Sequence, residues 1–327
     1  MIRLLEPKES YTIDYPQAIE FARAQASIIW TPEEIAVEKD LHSMKTELSA
    51  SEYHGVITTL RLFTLYELKV GQDYWSGYVG KIFKRPDIQR MASTFSFMEL
   101  GVHGVFYNKI NEILGLDTDE FYLSYKDDKV LSNRMSWIEK RVSKKDTHID
   151  ILKSLGIFSM IEGAILYSSF AFLKHFNSNG GNKLIAINAG INYSALDEVI
   201  HSEAGAWLFR TLKNEVVESG EYINEAELIN ELYETASVIF EHESTLIDKL
   251  FEAGDMEGIT ANHLKAFVQS RLDICLKNLG LAERFKPVHN PIADWFYKDL
   301  TGATLHDFFV THGNSYNRSW NKNNFKW

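Results

Sequence analysis

A chain of 327 residues with 45% hydrophobic content can bury one large helical core or two smaller ones, and its formal charge of −11, with signs interspersed, argues against general nucleic-acid binding, which needs a basic face. The single cysteine, Cys275, excludes an intramolecular disulfide and a cysteine-rich metal cluster, and suits a reducing, cytoplasmic setting. The first residues, Met1 to Pro7, lack the apolar core of a signal peptide.

Six prolines, most near segment edges, and few alternating apolar and polar runs predict a mainly α protein. Thr31-Pro32-Glu33-Glu34 reads as a capped helix start, which places the first helix just after Trp30. A second helix spans about 51–71 and sets Leu60, Phe63, Leu65 and Leu68 around Glu67. Pro86-Asp87 opens a third, carrying Phe95, Phe97, Glu99, His103, Phe106 and Tyr107 towards Leu114. The polar stretch 117–150 predicts shorter connecting helices. Two long helices centred on Glu162 and Glu198 follow, separated by Asn177-Ser178-Asn179-Gly180-Gly181. The most membrane-like run, 155–173, carries Glu162 and several serines and falls short of the roughly 20 apolar residues of a span, so it reads as a buried helix. Helices at about 225–253 and 260–279 precede a proline-containing segment, 286–292, and a polar, aromatic tail.

Four of these helices carry an acid in an apolar setting: Glu67, Glu99, Glu162 and Glu198. Glu99 with His103 and Glu198 with His201 place a carboxylate and an imidazole on one helical face. An unpaired buried carboxylate costs several kcal/mol, and the run Gly156 to Phe172 around Glu162 holds no basic residue to compensate it. The set matches the ligands of a carboxylate-bridged dinuclear site in a four-helix bundle. Carboxylate with imidazole and no thiolate suits iron or manganese. Glu241-His242-Glu243 lies among charged neighbours and is expected to form a solvated face. Phe95, Phe97, Phe106, Phe158, Phe170 and Phe172 are expected to fill the core.

With the helices laid out, the chain resembles the small, radical-generating subunit of class I ribonucleotide reductase over nearly its whole length. The resemblance is carried by Trp30 to Ile35, His103-Gly104-Val105-Phe106-Tyr107, Ile161 to Phe170, Leu196 to His201, Asn290-Pro291-Ile292, Phe308-Phe309 and Asn314-Ser315-Tyr316. It implies an all-α, ferritin-like bundle over 1–305 and a flexible tail over 306–327 that docks on the large catalytic subunit, with Phe325 and Trp327 as anchors. It further implies that Glu67, Glu99 and His103 hold one metal and Glu162, Glu198 and His201 the other, as di-iron, dimanganese or a mixed pair. Tyr107 falls at the position of the radical tyrosine, Trp30 and Asp197 at the radical-transfer relay, and Tyr316 at the tail tyrosine that passes the oxidising equivalent on. Tyr167 and Phe170 would help line the pocket that shields the radical.

The implied activity is that of ribonucleoside-diphosphate reductase, exercised as a homodimer with the large subunit, with neither nucleic acid nor membrane as a partner. Two departures stand out. The first pair is separated by one residue more than the family's Glu-x-x-His, which a π-bulge near Gly101 would absorb. The first acid is Glu67 where the family usually has Asp, with Asp73 as the alternative. Rival readings are a ferritin-like two-electron oxidase acting on a small molecule and an iron-storage bundle.

Overall fold

The computed structural model describes residues 2–141, 147–298 and 300. Among them no strand forms, and one isolated bridge joins Met256 to Ile259. Helix α1 covers Pro16–Ser27. Helix α2 runs Ala50–Leu68 and continues as a π-helical segment, Lys69–Val79. Helix α3 comprises Pro86–Met98, a π-helical turn Glu99–His103, and Gly104–Leu114. Helix α4 is Lys129–Arg141. Helix α5 comprises His148–Met160, a π-helical turn Ile161–Ile165, and Tyr167–His175. Helices α6, α7 and α8 are Ile185–Glu218, Glu225–Leu250 and Ala261–Asn278.

Local chemistry accounts for most of the helix ends. A capping box links Ser49 and Glu52 at the start of α2, and a second links Thr147 and Asp150 at the start of α5. Pro86 occupies the first turn of α3, and Gly115 ends that helix in the left-handed region at φ 69°. The start of α6 depends on a distant residue: the Asp40 carboxylate accepts from the Ile187 N–H at 2.7 Å.

Helices α2, α3, α5 and α6 pack as the ferritin-like core, and α1 lies across α3 and α6. Phe95, Phe106, Phe158, Phe170 and Phe172 are buried there, but Phe97 is 54% exposed, because the Phe97 position faces outward on α3. The run 155–173 is buried throughout, and no described helix is long and apolar enough to cross a membrane.

Two further expectations are corrected. The Thr31–Glu34 signal forms only a 3-10 turn, Pro32–Glu34, before the chain goes extended at Ile35. The Lys109 ammonium fixes that path by donating to the Pro32 and Ile35 carbonyls at 3.4 and 3.2 Å. Helix α1 precedes Trp30 instead of following it. Glu243, expected on a solvated face, is fully buried and ion-paired with Arg134. The expected docking tail, residues 306–327 with Tyr316, Phe325 and Trp327, lies outside the described residues.

Candidate metal centre

The π-helical turns gather at the candidate ligands. Glu99 and His103 bracket the one in α3, at the position where a bulge near Gly101 was expected. Glu162 lies in the one in α5, and Glu67 stands just before the one in α2. Glu198 and His201 sit on the uninterrupted α6, three residues apart.

These six residues, all buried, form two overlapping clusters in which the ligand atoms lie within 4.8 Å of one another: Glu67, Glu99, His103 and Glu198, and Glu99, Glu162, Glu198 and His201. Both Glu99 and Glu198 are therefore shared, whereas the resemblance divided them between the ions. Asp73 is not part of either cluster. Its side chain is 49% exposed and pairs with Lys69 at 3.2 Å.

Each imidazole turns Nδ1 inward. His103 Nδ1 lies 3.2 Å from Glu99, 3.6 Å from Glu67 and 3.5 Å from Glu198. His201 Nδ1 lies 2.5 Å from Glu99 and 3.7 Å from Glu198. The outer nitrogens are committed elsewhere. His103 Nε2 donates to Asp197 Oδ2 at 2.8 Å, and His201 Nε2 donates to Gln25 Oε1 at 3.0 Å. Gln25 Nε2 donates in turn to Asp197 Oδ1 at 2.7 Å, and Trp30 Nε1 donates to Asp197 Oδ2 at 3.0 Å. Because Asp197 can only accept, the network places a proton on Nε2 of both histidines and turns both Nδ1 atoms towards the space a cation would occupy.

Sequence reasoning missed two of the site's residues. Gln25 arrives on α1, and Trp75 arrives on α2 to donate its indole N–H to Glu162 Oε1 at 2.6 Å. The helical spacing of Ala18, Ile19, Ala22 and Gln25 was available as a signal for α1, but not as a signal of what Gln25 would touch.

The electrostatics of the cluster favour added positive charge. Burial, together with Glu99, pushes the Glu67 carboxyl well above its ordinary range, and burial with Glu198 and Glu99 does the same to Glu162. Burial would raise Glu99 too, but the His103 and His201 imidazoles hold it well below. Against the effect of burial, Glu99 and its neighbours raise both imidazoles, His201 to about 9. The carboxylate oxygens of Glu67 and Glu198 and the Nδ1 of His201 are buried without a hydrogen-bond partner. Orphaned acceptors of this kind, all oxygen or imidazole, fit two divalent transition-metal ions.

Tyr107 is fully buried one turn beyond His103. Its ring meets Phe63 edge-on at 4.5 Å and Phe106 at 5.1 Å. Phe170 stands behind Phe63 at 5.8 Å and Tyr167 behind Phe170 at 5.6 Å. Phe95 packs at 4.3 Å on His201. Trp30 stacks on His103 with ring centres 5.9 Å apart.

The sequence profile described as "Ribonucleotide reductase, small chain" matches residues 8–291. The chain is 26% identical to the probable ribonucleoside-diphosphate reductase small subunit 048L of Invertebrate iridescent virus 3, covering 94% of this chain and 84% of that protein. It is also 26% identical to the ribonucleoside-diphosphate reductase subunit beta of Bacillus phage SPbeta, covering 89% and 85%. Among solved structures, a putative class I ribonucleotide reductase from Bacillus halodurans superposes with a TM-score of 0.74 at 23% identity, over 85% of this chain and 97% of that one. A dimanganese(II) NrdF from Streptococcus sanguinis gives 0.71 at 20% identity, over 88% and 97%. With a profile match across most of its length and a buried carboxylate and histidine cluster suited to two metal ions, the chain belongs to the small-chain family of ribonucleotide reductase.

Proposed function

We propose that Glu67, Glu99, His103, Glu162, Glu198 and His201 hold two iron ions, two manganese ions or one of each, with Glu99 and Glu198 shared between them. Bound there, the pair supplies an oxidising equivalent in reaction with oxygen or a reduced oxygen species. Tyr107 gives up one electron and its phenolic proton together, because burial holds its hydroxyl well above the ordinary phenol range and disfavours a free phenolate. The apolar wall of Phe63 and Phe106 keeps water and reductants from the resulting radical.

Trp30, hydrogen-bonded to Asp197 and stacked on His103, begins the route by which the equivalent leaves, and Tyr316 in the tail ends it. The large catalytic subunit then reduces ribonucleotides, and Tyr107 recovers its electron and proton at the close of each turnover. The protein acts in the cytoplasm as a homodimer, for which exposed Leu68 on α2 and Phe97 and Val105 on α3 are candidate apolar contacts.

The observation that carries this reading is the continuous chain from Trp30 through Asp197 to His103 and the carboxylate cluster. A two-electron oxidase of small molecules has no use for it. Reconstitution with Fe(II) or Mn(II) and oxygen tests the proposal. Two ions per chain and a tyrosyl signal in electron paramagnetic resonance are expected, the signal vanishing in Tyr107→Phe while the ions remain. Retention of the full signal in that variant removes Tyr107 from the mechanism, and failure to take up metal removes the centre.

A further inference from the structure

Two buried arginines, Arg134 on α4 and Arg271 on α8, come from helices that contribute nothing to the carboxylate cluster. Both reach the same turn. Arg271 Nε donates to the Gly163 carbonyl at 2.9 Å, and Arg134 Nη2 donates to the Ile165 carbonyl at 3.0 Å. Gly163 and Ile165 belong to the π-helical turn that carries Glu162. Regular hydrogen bonding is broken here, since the Leu166 N–H reaches back only to Ala164 before the α-helix resumes at Tyr167. Carbonyls at such a break need donors from outside the helix.

Both guanidinium groups are held on several sides. Arg271 lies 3.7 Å above the Tyr167 ring and donates from Nη1 to the Tyr297 hydroxyl at 3.1 Å. Those contacts are a carbonyl, a hydroxyl and an aromatic face, so no carboxylate among them neutralises its charge. A buried cation held this way carries a desolvation cost that its hydrogen bonds and the aromatic face must offset. Arg134 pairs with Glu243, lies 5.0 Å over the Tyr66 ring, and shares Glu243 with Ser168, whose hydroxyl donates at 2.5 Å from just beyond the break. Between the two arginines, Gly163 packs so closely on Cys275 and Ser202 that a methyl group would collide with both.

We propose that Arg134 and Arg271 are positioning residues that fix the π-helical turn Ile161–Ile165 and thereby aim Glu162 at its metal; this rests on the metal-centre reading above. Trp75 holds the carboxylate and the arginines hold its backbone. Should the turn relax to a regular α-helix, the register shifts by one residue, which rotates Glu162 by roughly 100° relative to the rest of the helix.

The test uses the full chain and Mn(II) alone, titrated into wild type, Arg134→Lys and Arg271→Lys. Uptake is followed by electron paramagnetic resonance, and melting of the metal-free chain is recorded beside it. Wild type is expected to give the signal of a coupled pair. In each variant the ion at the Glu162 and His201 cluster should bind at least about tenfold more weakly, the scale of lost outer-shell support, and an isolated six-line Mn(II) signal should replace the coupled one. A merely structural role lowers the melting temperature while leaving the ratio of the two affinities and the coupling unchanged, and that result overturns the proposal. If Arg271→Lys does not fold, Tyr297→Phe removes a partner of Arg271 at nearly constant volume: a selective loss of the second ion supports the proposal, and an unchanged ratio overturns it. A wild type that takes up no pair of ions instead overturns the metal-centre reading itself.

Discussion

Replacing Asp197 with Asn should disturb the metal position that Asp197 does not touch. The carboxylate accepts from Trp30 and His103 through Oδ2 and from Gln25 through Oδ1. An amide that keeps its oxygen towards Trp30 and His103 turns its NH2 group against the Gln25 NH2. If Gln25 stays as it is, two buried donors face each other at a cost of about 1–3 kcal/mol. If Gln25 flips, its NH2 faces His201 Nε2, which must then accept, and the imidazole proton moves to Nδ1. That nitrogen faces Glu99 at 2.5 Å and, once protonated, cannot ligate.

The flipped arrangement should weaken the ion at His201 by about 10–100-fold, the range for lost outer-shell partners of metal ligands. Mn(II) titration with resonance detection measures this, alongside a double-mutant cycle with Gln25→Leu. If the coupling runs through Gln25, the Gln25→Leu background should remove most of the effect of Asp197→Asn on the second ion. Wild-type affinities in Asp197→Asn, or strict additivity in the cycle, would refute the reasoning.

Metal binding should release protons, because His201 titrates at about 9 in the metal-free chain and must present a bare Nδ1 to the ion. Its raised value means that the proton is bound at neutral pH, so His201 should contribute a rise in affinity of about tenfold per pH unit up to about pH 9, with His103, also raised, adding its own. Calorimetry in two buffers of different ionisation enthalpy counts those protons, and a count of zero contradicts the assignment. Gly163→Ala should destabilise the chain by about 1–3 kcal/mol through collision with Cys275 and Ser202, read as a lower melting temperature. Deleting the chain from Ser319 onward should leave metal uptake and the Tyr107 signal intact while abolishing affinity for the large subunit in a binding assay. Tyr316→Phe should keep that affinity and stop ribonucleotide reduction.

The residues that meet in the buried cluster were legible because their signals are local. Glu99 with His103 and Glu198 with His201 share a helical face by spacing alone, and Glu162 stands out as an acid with no basic neighbour in its apolar run. The π-helical turn in α3 was legible as one residue too many between Glu99 and His103. Other features depend on contacts between residues far apart in the chain. Gln25 lies 172 residues from Asp197, and Trp75 lies 87 from Glu162, so no window of sequence holds either pair. Which of Glu67 and Asp73 joins the acidic cluster, and the membership of Glu99 and Glu198 in both clusters, follow from how α2, α3, α5 and α6 converge. Glu243 looked solvated because its sequence neighbours are charged, yet Arg134 on another helix draws it into the core. Thr31-Pro32-Glu33-Glu34 carried a real start signal that tertiary contacts with Lys109 cut to a single turn. Helical periodicity fixes which side chains share a face, a property of neighbouring residues, whereas the partner each buried polar group finds depends on which helices meet, and only the packed structure decides that.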